Sequence, residues 1–151
     1  MSGVTPRGSA KAEKRKVFAM KQEIAIRIAE ALESGLYPQT TGCLRDRKGF
    51  CCLGVASDLH SIETGRHWRK TDTLFPEYMG EANYLAPAVL EWSGFHAHTG
   101  CTVDGSNVFE GIEPPVLDEN GGTFKCLATA NDAGVSFELI AKALRRNWSK
   151  L

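Results

Sequence analysis

The chain has 151 residues, of which 42% are hydrophobic and 24% are charged, an ordinary composition for a soluble globular protein. Lys plus Arg and Asp plus Glu each total 18, so the formal net charge is zero. This balance gives no general attraction to DNA, RNA or anionic membranes, although it is compatible with a local basic patch. The length suits one domain, which needs no metal or disulfide in order to fold.

The expected compartment follows from what the sequence lacks. No apolar run approaches the roughly 18 residues of a membrane span, and residues 1–16 lack the apolar core of a signal peptide. We therefore expect a protein kept in a cytoplasm, where its five cysteines would be reduced thiols. Residues 5–9 (TPRGS) resemble a protease-cleavage linker, so residues 1–10 are left out of the fold prediction.

The first half of the chain predicts two helices joined by a hairpin. Residues 1–12 are small and polar, which predicts disorder. An apolar stripe at steps of three and four predicts an amphipathic helix from Glu13 to Ser34, ended by Gly35. Residues 43–51 then predict a β-hairpin with Gly49 in its turn, followed by a short helix that ends near His60.

The second half predicts two more helices separated by loops. Residues 61–84 have weak periodicity and predict a loop. Residues 84–95 predict a helix with Pro87 in its first turn and Gly94 at its end. Residues 95–123 are rich in Gly, Pro, Asn and Asp and predict a loop with short strands. Ser136 is a good N-cap for a C-terminal amphipathic helix.

Together these elements predict an α+β fold with one compact domain over residues 13–151. Its N- and C-terminal amphipathic helices would pack with a short central helix and a small antiparallel β-element.

Cys51 and Cys52 are the first candidates for chemistry. A helix N-terminus stabilises a thiolate, and a nearby histidine would make that thiolate a nucleophile. His60 follows Cys52 by eight residues, or about 12 Å along a helix, which is too far for direct contact. We favour core packing, since free cysteine is usually buried. A nucleophile (Cys52 with His60) and a metal ligand stay as alternatives.

The segment HAHTGC places His96, His98 and Cys101 close together in sequence. An extended segment would present both histidines on one face, and zinc accepts histidine and thiolate ligands. The spacing is irregular, and a fourth ligand would have to come from elsewhere, with Cys126 and Asp104 as candidates. We favour a polar loop over a metal site here.

The segment ANDAGVS offers a second ambiguous pair, Asn131 and Asp132. Such residues commonly organise a turn through hydrogen bonds to the backbone, which is the interpretation we favour. A loop that enters a helix N-terminus is also a natural anion site, and there Asp132 would position a ribose or a base.

The best candidate for a ligand site is a basic cluster with an aromatic residue inside it. Arginine binds phosphate in a bidentate manner, and tryptophan stacks on bases. We therefore assign phosphate contact to the arginines and stacking to Trp68. A solvated hairpin tip beside a loop is the alternative. The cluster comprises Arg45, Arg47, Lys48, Arg66, His67, Trp68, Arg69 and Lys70.

Three blocks of the sequence resemble a known family in their order and spacing. They are ALESGLYPQTTGCLRDRKGFCCLGVASDL (31–59), YLAPAVLEWSG (84–94) and LATANDAGVSFELIAKAL (127–144). They are similar to small proteins of tailed bacteriophages and prophages that share a CCLGV centre and an LND.G.SF..IA close, although Ala130 departs from that pattern. The resemblance implies a phage origin and expression in a bacterial host's cytoplasm, where such proteins often bind a host protein or sequester a nucleotide signal.

We therefore expect a non-enzymatic protein that binds a nucleotide-type small molecule or a host protein, in a counter-defence type of role. We expect no cofactor, no membrane and no nucleic acid among its partners, and homo-oligomerisation stays open. The alternatives are a hydrolase that uses Cys52 or the His96, His98 and Cys101 cluster, and a structural component of the virion.

Overall fold

The computed structural model describes residues 19–73 and 75–151. The predicted disorder of residues 1–12, and the predicted helical residues 13–18, lie outside these ranges. The described residues form five α-helices and a terminal 3₁₀ helix, and they contain no β-strand, only isolated bridges. The helices are α1 (Gln22–Glu33), α2 (Cys52–Thr64), α3 (Pro87–Ser93), α4 (Leu127–Asp132) and α5 (Phe137–Asn147), and the 3₁₀ helix is Trp148–Lys150.

The α+β prediction is therefore wrong, and the backbone around Phe50 shows why. The predicted hairpin contains a single antiparallel bridge, between Arg45 and Phe50. Phe50 directs both of its backbone groups to the preceding segment instead, since its N–H donates to Pro38 O and its carbonyl accepts from Thr40 N. Helix α2 starts two residues later, at Cys52. Because of these bonds and the early start of α2, the two arms of the predicted hairpin are too short to form a two-stranded β-ladder.

The core is centred on α1 and α5, which pack more extensively against each other than any other pair of helices. Each helix buries an apolar stripe, and α5 is capped by the hydroxyl of Ser136, which accepts from Leu139 N at 3.3 Å. The buried residues of the stripes are Ile24, Ala25, Ile28, Ala29 and Leu32 on α1, and Phe137, Ile140, Ala141, Ala143 and Leu144 on α5. The spacing of apolar residues in the sequence predicts Ile24, Ile28 and Leu32 of the first stripe and Phe137, Ile140, Ala141 and Leu144 of the second.

Helix α3 confirms the sequence signals for its ends. Pro87 occupies the first turn, where its missing N–H costs no hydrogen bond, and Gly94 follows the last turn with a φ of 87°.

Helix α4 was not predicted, because the segment 127–132 is short and its Asn-Asp pair favoured a turn. Among the described residues, no helix is long and apolar enough to cross a membrane.

Candidate functional site

The predicted basic and aromatic cluster is partly assembled around a cavity of about 320 Å³. The hairpin tip contributes Arg45, Asp46 and Arg47, and the segment after α2 contributes Trp68 and Lys70, with Pro76 completing the lining. Three predicted ligand-binding residues, Arg45, Arg47 and Trp68, therefore lie around one cavity, although more than 20 residues separate the two segments in sequence.

Arg45 is the best positioned cation of the site. Its guanidinium lies over two aromatic rings, 4.8 Å from the centroid of Phe50 and 5.3 Å from that of Trp68. These contacts restrain the side chain through cation–π attraction while leaving its charge unneutralised. Within the described ranges, Arg45, Arg47 and Lys70 form no salt bridge. The cavity therefore has three positive groups whose charge is available to an anion.

The rings that hold Arg45 are themselves anchored by one carboxylate of α2. Asp58 accepts a hydrogen bond from the Trp68 indole N–H at 2.9 Å and from the Tyr37 hydroxyl at 2.6 Å. Tyr37 in turn packs edge-on against Phe50, with ring centroids 5.0 Å apart. Burial and the hydrogen bond to Asp58 raise the pKa of Tyr37. Asp58 thereby positions both rings beneath the guanidinium.

His60 belongs to the support behind this site. Its Nδ1 and the hydroxyl of the fully buried Tyr78 are hydrogen-bonded at 2.6 Å. The Tyr78 ring lies against Trp68, with centroids 5.2 Å apart. Burial lowers the pKa of His60, because it disfavours the charged imidazolium. A neutral, buried imidazole bonded to tyrosine is a packing element of the aromatic cluster.

Asp46 lines the cavity, but its carboxylate is already occupied by hydrogen bonds. Its Oδ1 accepts from the backbone N–H groups of Lys48 and Gly49, and its Oδ2 accepts from the Thr40 hydroxyl at 2.7 Å. Burial raises the pKa of Asp46, but these hydrogen bonds and the charge of Lys48 together outweigh it, so the pKa is lowered overall. Asp46 therefore shapes the turn that carries Arg45 and Arg47.

A second cavity of about 320 Å³ adjoins the first. It shares Arg47, Lys70 and Pro76 with the first cavity and adds Thr71 and Thr73. The two threonine hydroxyl oxygens lie 2.7 Å apart, and both also bond to the backbone of Phe75. The two cavities therefore meet at a pair of cations.

Four other residues of the predicted cluster lie outside both cavities. Lys48, Arg66, His67 and Arg69 are exposed, and the backbone of Arg69 pairs with Glu77 through two hydrogen bonds of 2.8 and 2.9 Å. Alternate side chains of an extended segment point to opposite sides. That alternation is consistent with Trp68 and Lys70 lining the cavity while His67 and Arg69 do not.

Asn131 has a structural position in this fold. It is completely buried. Its Oδ1 accepts from Cys52 N and from the Gln39 side chain, each at 3.1 Å, and its Nδ2 donates to Thr40 O at 2.8 Å. Its amide already joins α4 to α2 and to Gln39 and Thr40, which fits the structural interpretation favoured from the sequence, and ligand binding by Asn131 stays a prediction without geometric support.

Asp132 is more accessible than Asn131, although it too is bonded to the segment that precedes Cys43. Its Oδ1 accepts from Gly42 N at 2.9 Å. It lines a small cavity of about 190 Å³ together with Cys43, Cys51 and Tyr84. This cavity is apart from the basic site, so the prediction that Asp132 positions a ribose or a base stays a prediction without geometric support.

The cysteines at the start of α2 are buried in the core. Cys51 and Cys52 are buried, and burial raises the pKa of Cys51 to about 12 and that of Cys52 well above its ordinary value. The Cys51 sulfur accepts from Gly54 N at 3.3 Å and caps the helix, while the Cys52 thiol lies 3.8 Å from Leu127 O. Neither has a histidine partner among the described hydrogen bonds, so the favoured packing interpretation fits.

The metal cluster considered as an alternative does not assemble. Cys101 is joined to Cys126 in a disulfide, which removes both sulfurs as thiolate ligands and contradicts the expectation that these two cysteines are reduced. His96 and His98 are exposed, and the His98 ring packs edge-on against Tyr84. Across the described ranges, no group of three or more His, Cys, Asp or Glu side chains could hold a metal ion.

Sequence reasoning gave no site role to four residues that line or support the two cavities. Lys70 was counted in the basic cluster but was given no role, and Asp58, Thr71 and Thr73 were not considered as site residues. The spacing of Trp68 and Lys70 is a usable signal, because residues i and i+2 of an extended segment share a face. Nothing in the local sequence connects Asp58 to Trp68, since that contact depends on the chain reversing after α2.

The comparisons with known proteins identify a family without an assigned activity. No curated protein and no solved structure matches the chain. One family model, described as a domain of unknown function (DUF8296), matches residues 20–148 and so covers all five helices. The chain therefore belongs to the DUF8296 family.

Proposed function

We propose that this protein binds a phosphate-bearing, nucleotide-type small molecule in the cavity lined by Arg45, Arg47, Trp68 and Lys70. The observation that carries the proposal is the restrained Arg45 guanidinium, which lies over two aromatic rings and has two further cations beside it that form no ion pair among the described residues. Charge-assisted hydrogen bonds to a phosphate would use these groups without disturbing an existing ion pair.

The role of Trp68 differs from the stacking assigned to it from sequence. The Arg45 guanidinium lies over its ring, the ring packs against Tyr78, and its N–H is bonded to Asp58. Trp68 thus positions Arg45 in the unliganded protein. A base stacks in this site against the guanidinium, which has a planar face suited to such contacts.

The biological setting is part of the same proposal. The resemblance of three sequence blocks to phage proteins supports a phage accessory protein that acts in the bacterial cytoplasm by sequestering a host nucleotide signal. The hydrolase alternative is weakened by the burial of Cys52 and by the Cys101–Cys126 disulfide. The alternatives of a host protein as ligand and of a virion component have no comparable observation in their favour.

Isothermal titration calorimetry tests the proposal, with nucleoside diphosphates, ADP-ribose and cyclic dinucleotides as probes. We expect Arg45→Gln to weaken the binding of an active probe at least about tenfold, because a charge-assisted hydrogen bond contributes about 1.5–3 kcal/mol. Affinity should also fall as salt concentration rises.

The sequence offers matched controls for this experiment. Arg66→Gln and Arg69→Gln remove the same charge from the same predicted cluster, but at positions outside the cavity. They should leave affinity within about twofold. Absence of heat with every probe at tens of micromolar protein contradicts the proposal, as does an equal loss in all three variants, which would indicate a general charge effect.

A further inference from the structure

The Cys101–Cys126 disulfide lies in a different environment from the other three cysteines. Both of its residues are half-buried, whereas Cys43, Cys51 and Cys52 are buried. Neither residue of the disulfide lines the basic cavity. The pair is therefore at the surface of the fold, away from the proposed ligand site, where a reductant can approach without unfolding the core.

A hydroxyl group distinguishes the two sulfurs of the disulfide. Thr99 Oγ1 lies 3.1 Å from Cys101 Sγ, and because a disulfide sulfur carries no hydrogen, the hydroxyl is the donor in this contact. The nearby Thr129 hydroxyl donates instead to the Cys126 carbonyl oxygen, at 3.0 Å. A hydrogen bond to one sulfur stabilises negative charge on that sulfur when the S–S bond breaks.

Thiol–disulfide exchange depends on such a difference. An attacking thiolate bonds to one sulfur while the other leaves as a thiolate, and exchange is faster when the leaving thiolate is the more stable one. The Thr99 hydroxyl stabilises Cys101 as the leaving thiolate. This contact therefore directs attack to Cys126.

The backbone keeps the two cysteines together independently of the S–S bond. They close a loop, residues 102–125, that contains no helix or strand. On one side of the pair, Thr102 N donates to Lys125 O at 2.9 Å. On the other side, Leu127 N donates to Gly100 O at 3.0 Å. These bonds would hold the two thiols side by side after reduction, so the disulfide can form again.

We infer that Cys101–Cys126 is a reversible redox site, opened by a dithiol reductant that attacks Cys126. One thiolate of the reductant bonds to Cys126 Sγ, and the electron pair of the S–S bond leaves with Cys101 Sγ. The second thiolate of the reductant then displaces Cys126 Sγ and forms the reductant's own disulfide. The two protons of the dithiol pass to the two cysteines, so the protein gains two electrons and the reductant loses two.

The proposed setting agrees with a site of this kind. In a cytoplasm, disulfides are usually transient and either catalytic or redox-sensing. The site makes the covalent closure of residues 102–125 depend on the supply of dithiol, while the buried cysteines take no part.

Reduction of the folded protein by dithiothreitol tests access to the site. At pH 8 and without denaturant we expect two thiols to be released per chain, at a rate within about tenfold of the rate in denaturant. Alkylation and peptide mapping should assign both thiols to Cys101 and Cys126, and oxidised glutathione should restore the disulfide after the reductant is removed. Reduction that occurs only in denaturant would overturn the inference.

Three variants test the role of the Thr99 hydroxyl. Thr99→Val should slow reduction of the folded protein about two- to tenfold, the effect expected of one lost hydrogen bond, and should not change the rate in denaturant. Thr99→Ser keeps the hydroxyl and should keep the rate. Thr129→Val is the matched control, because its hydroxyl bonds to a backbone oxygen rather than to sulfur. An equal rate in Thr99→Val and the parent protein contradicts the assigned direction of attack.

Glutathione identifies the attacked sulfur without any substitution. It has a single thiol, so its mixed disulfide with the protein can be trapped by acid and located by peptide mapping. We expect glutathione mainly on Cys126, with Cys101 as the free thiol. Glutathione mainly on Cys101 would overturn the inference that Cys126 is attacked.

Discussion

The two faces of residues 40–54 have opposite characters. The face towards α4 is buried and its polar atoms are paired, with Asn131 bonded to Cys52 and Thr40, and with Cys51 capping α2. The face towards residues 66–76 carries Arg45 and Arg47, which have no carboxylate partner among the described residues. One short segment therefore contributes to a closed junction and to an open basic site.

This difference shows that the most distinctive part of the sequence, the adjacent cysteines, is not the part that lines the basic cavity. Adjacent cysteines before a glycine attract attention as a motif, but in the fold they fill space where α2 begins. The cations that line the cavity without an ion pair among the described residues are Arg45 and Arg47, from the less distinctive RDRK turn, and Lys70, from a different segment. The following predictions test this division, beginning with the junction.

Gly54→Ala should have the largest effect of any change in the junction. An added Cβ would overlap the carbonyl oxygen of Leu44, a backbone atom that cannot move aside without shifting the hairpin. We expect a loss of at least about 3 kcal/mol in the free energy of unfolding, measured by urea denaturation. Gly105→Ala is the control, since its added Cβ would enter open space. Its only expected loss in the free energy of unfolding, about 1–2 kcal/mol, comes from placing an alanine at a positive φ. Equal losses in the two variants would contradict this close approach.

Asn131→Ala should follow, with an expected loss of about 2–3 kcal/mol. The substitution leaves Cys52 N and Thr40 O without their partner in a buried site, and an unsatisfied buried group costs about 1–3 kcal/mol. Asp132→Asn keeps the oxygen that accepts from Gly42 N and should change stability by less than about 0.5 kcal/mol. Nucleotide binding by a folded Asn131→Ala protein should persist, and its selective loss would place Asn131 at the ligand.

Thiol titration should distinguish the junction cysteines from the disulfide. Cys43, Cys51 and Cys52 are free and buried, and burial raises the pKa of each thiol, so a thiol reagent should react slowly with the native protein at pH 8. In denaturant without reductant we expect three reactive thiols, and two more after reduction of Cys101–Cys126. Five thiols without reductant would show that the disulfide is absent.

The smallest expected effect is a pH dependence from His60, beneath the basic site. The pKa of His60 is lowered from 6.5 in the folded protein, by burial first and by the nearby Arg66 second, with Glu63 opposing. As pH falls below about 6.5, the unfolded chain therefore binds its proton before the folded one, and the free energy of unfolding decreases until pH passes the folded pKa. Above about pH 6.5, the contribution of neutral His60 to the free energy of unfolding is fully present.

His60→Asn provides the reference for this measurement, because an Asn side chain can replace Nδ1 as the hydrogen-bonding partner of Tyr78. The difference in unfolding free energy between the two proteins, measured by urea denaturation between pH 5 and 8, should change below pH 6.5. A constant difference across that range would mean that His60 titrates normally in the folded state.

Sequence reasoning was most successful for features of the helices that depend only on residues nearby in the chain. The apolar stripes of α1 and α5, the Ser136 cap, and the positions of Pro87 and Gly94 were all predicted, because each depends on neighbours within one or two turns. The β-element was wrong because alternation and a turn glycine describe a hairpin but do not show that the backbone of Phe50 bonds to Pro38 and Thr40 instead. Helix α4 was missed because six residues give too little periodicity.

For the site, the sequence by itself determined that arginines flank an aromatic residue, and that the chain has no excess charge to attract polyanions in general. The tertiary structure decided which of those cations share a cavity: Arg45, Arg47 and Lys70 do, whereas Arg66 and Arg69 do not. It also decided that Asn131 is a core residue and that Cys101 is paired with Cys126. The physical reason is that burial and proximity depend on contacts between distant segments, which residue types and their spacing do not specify.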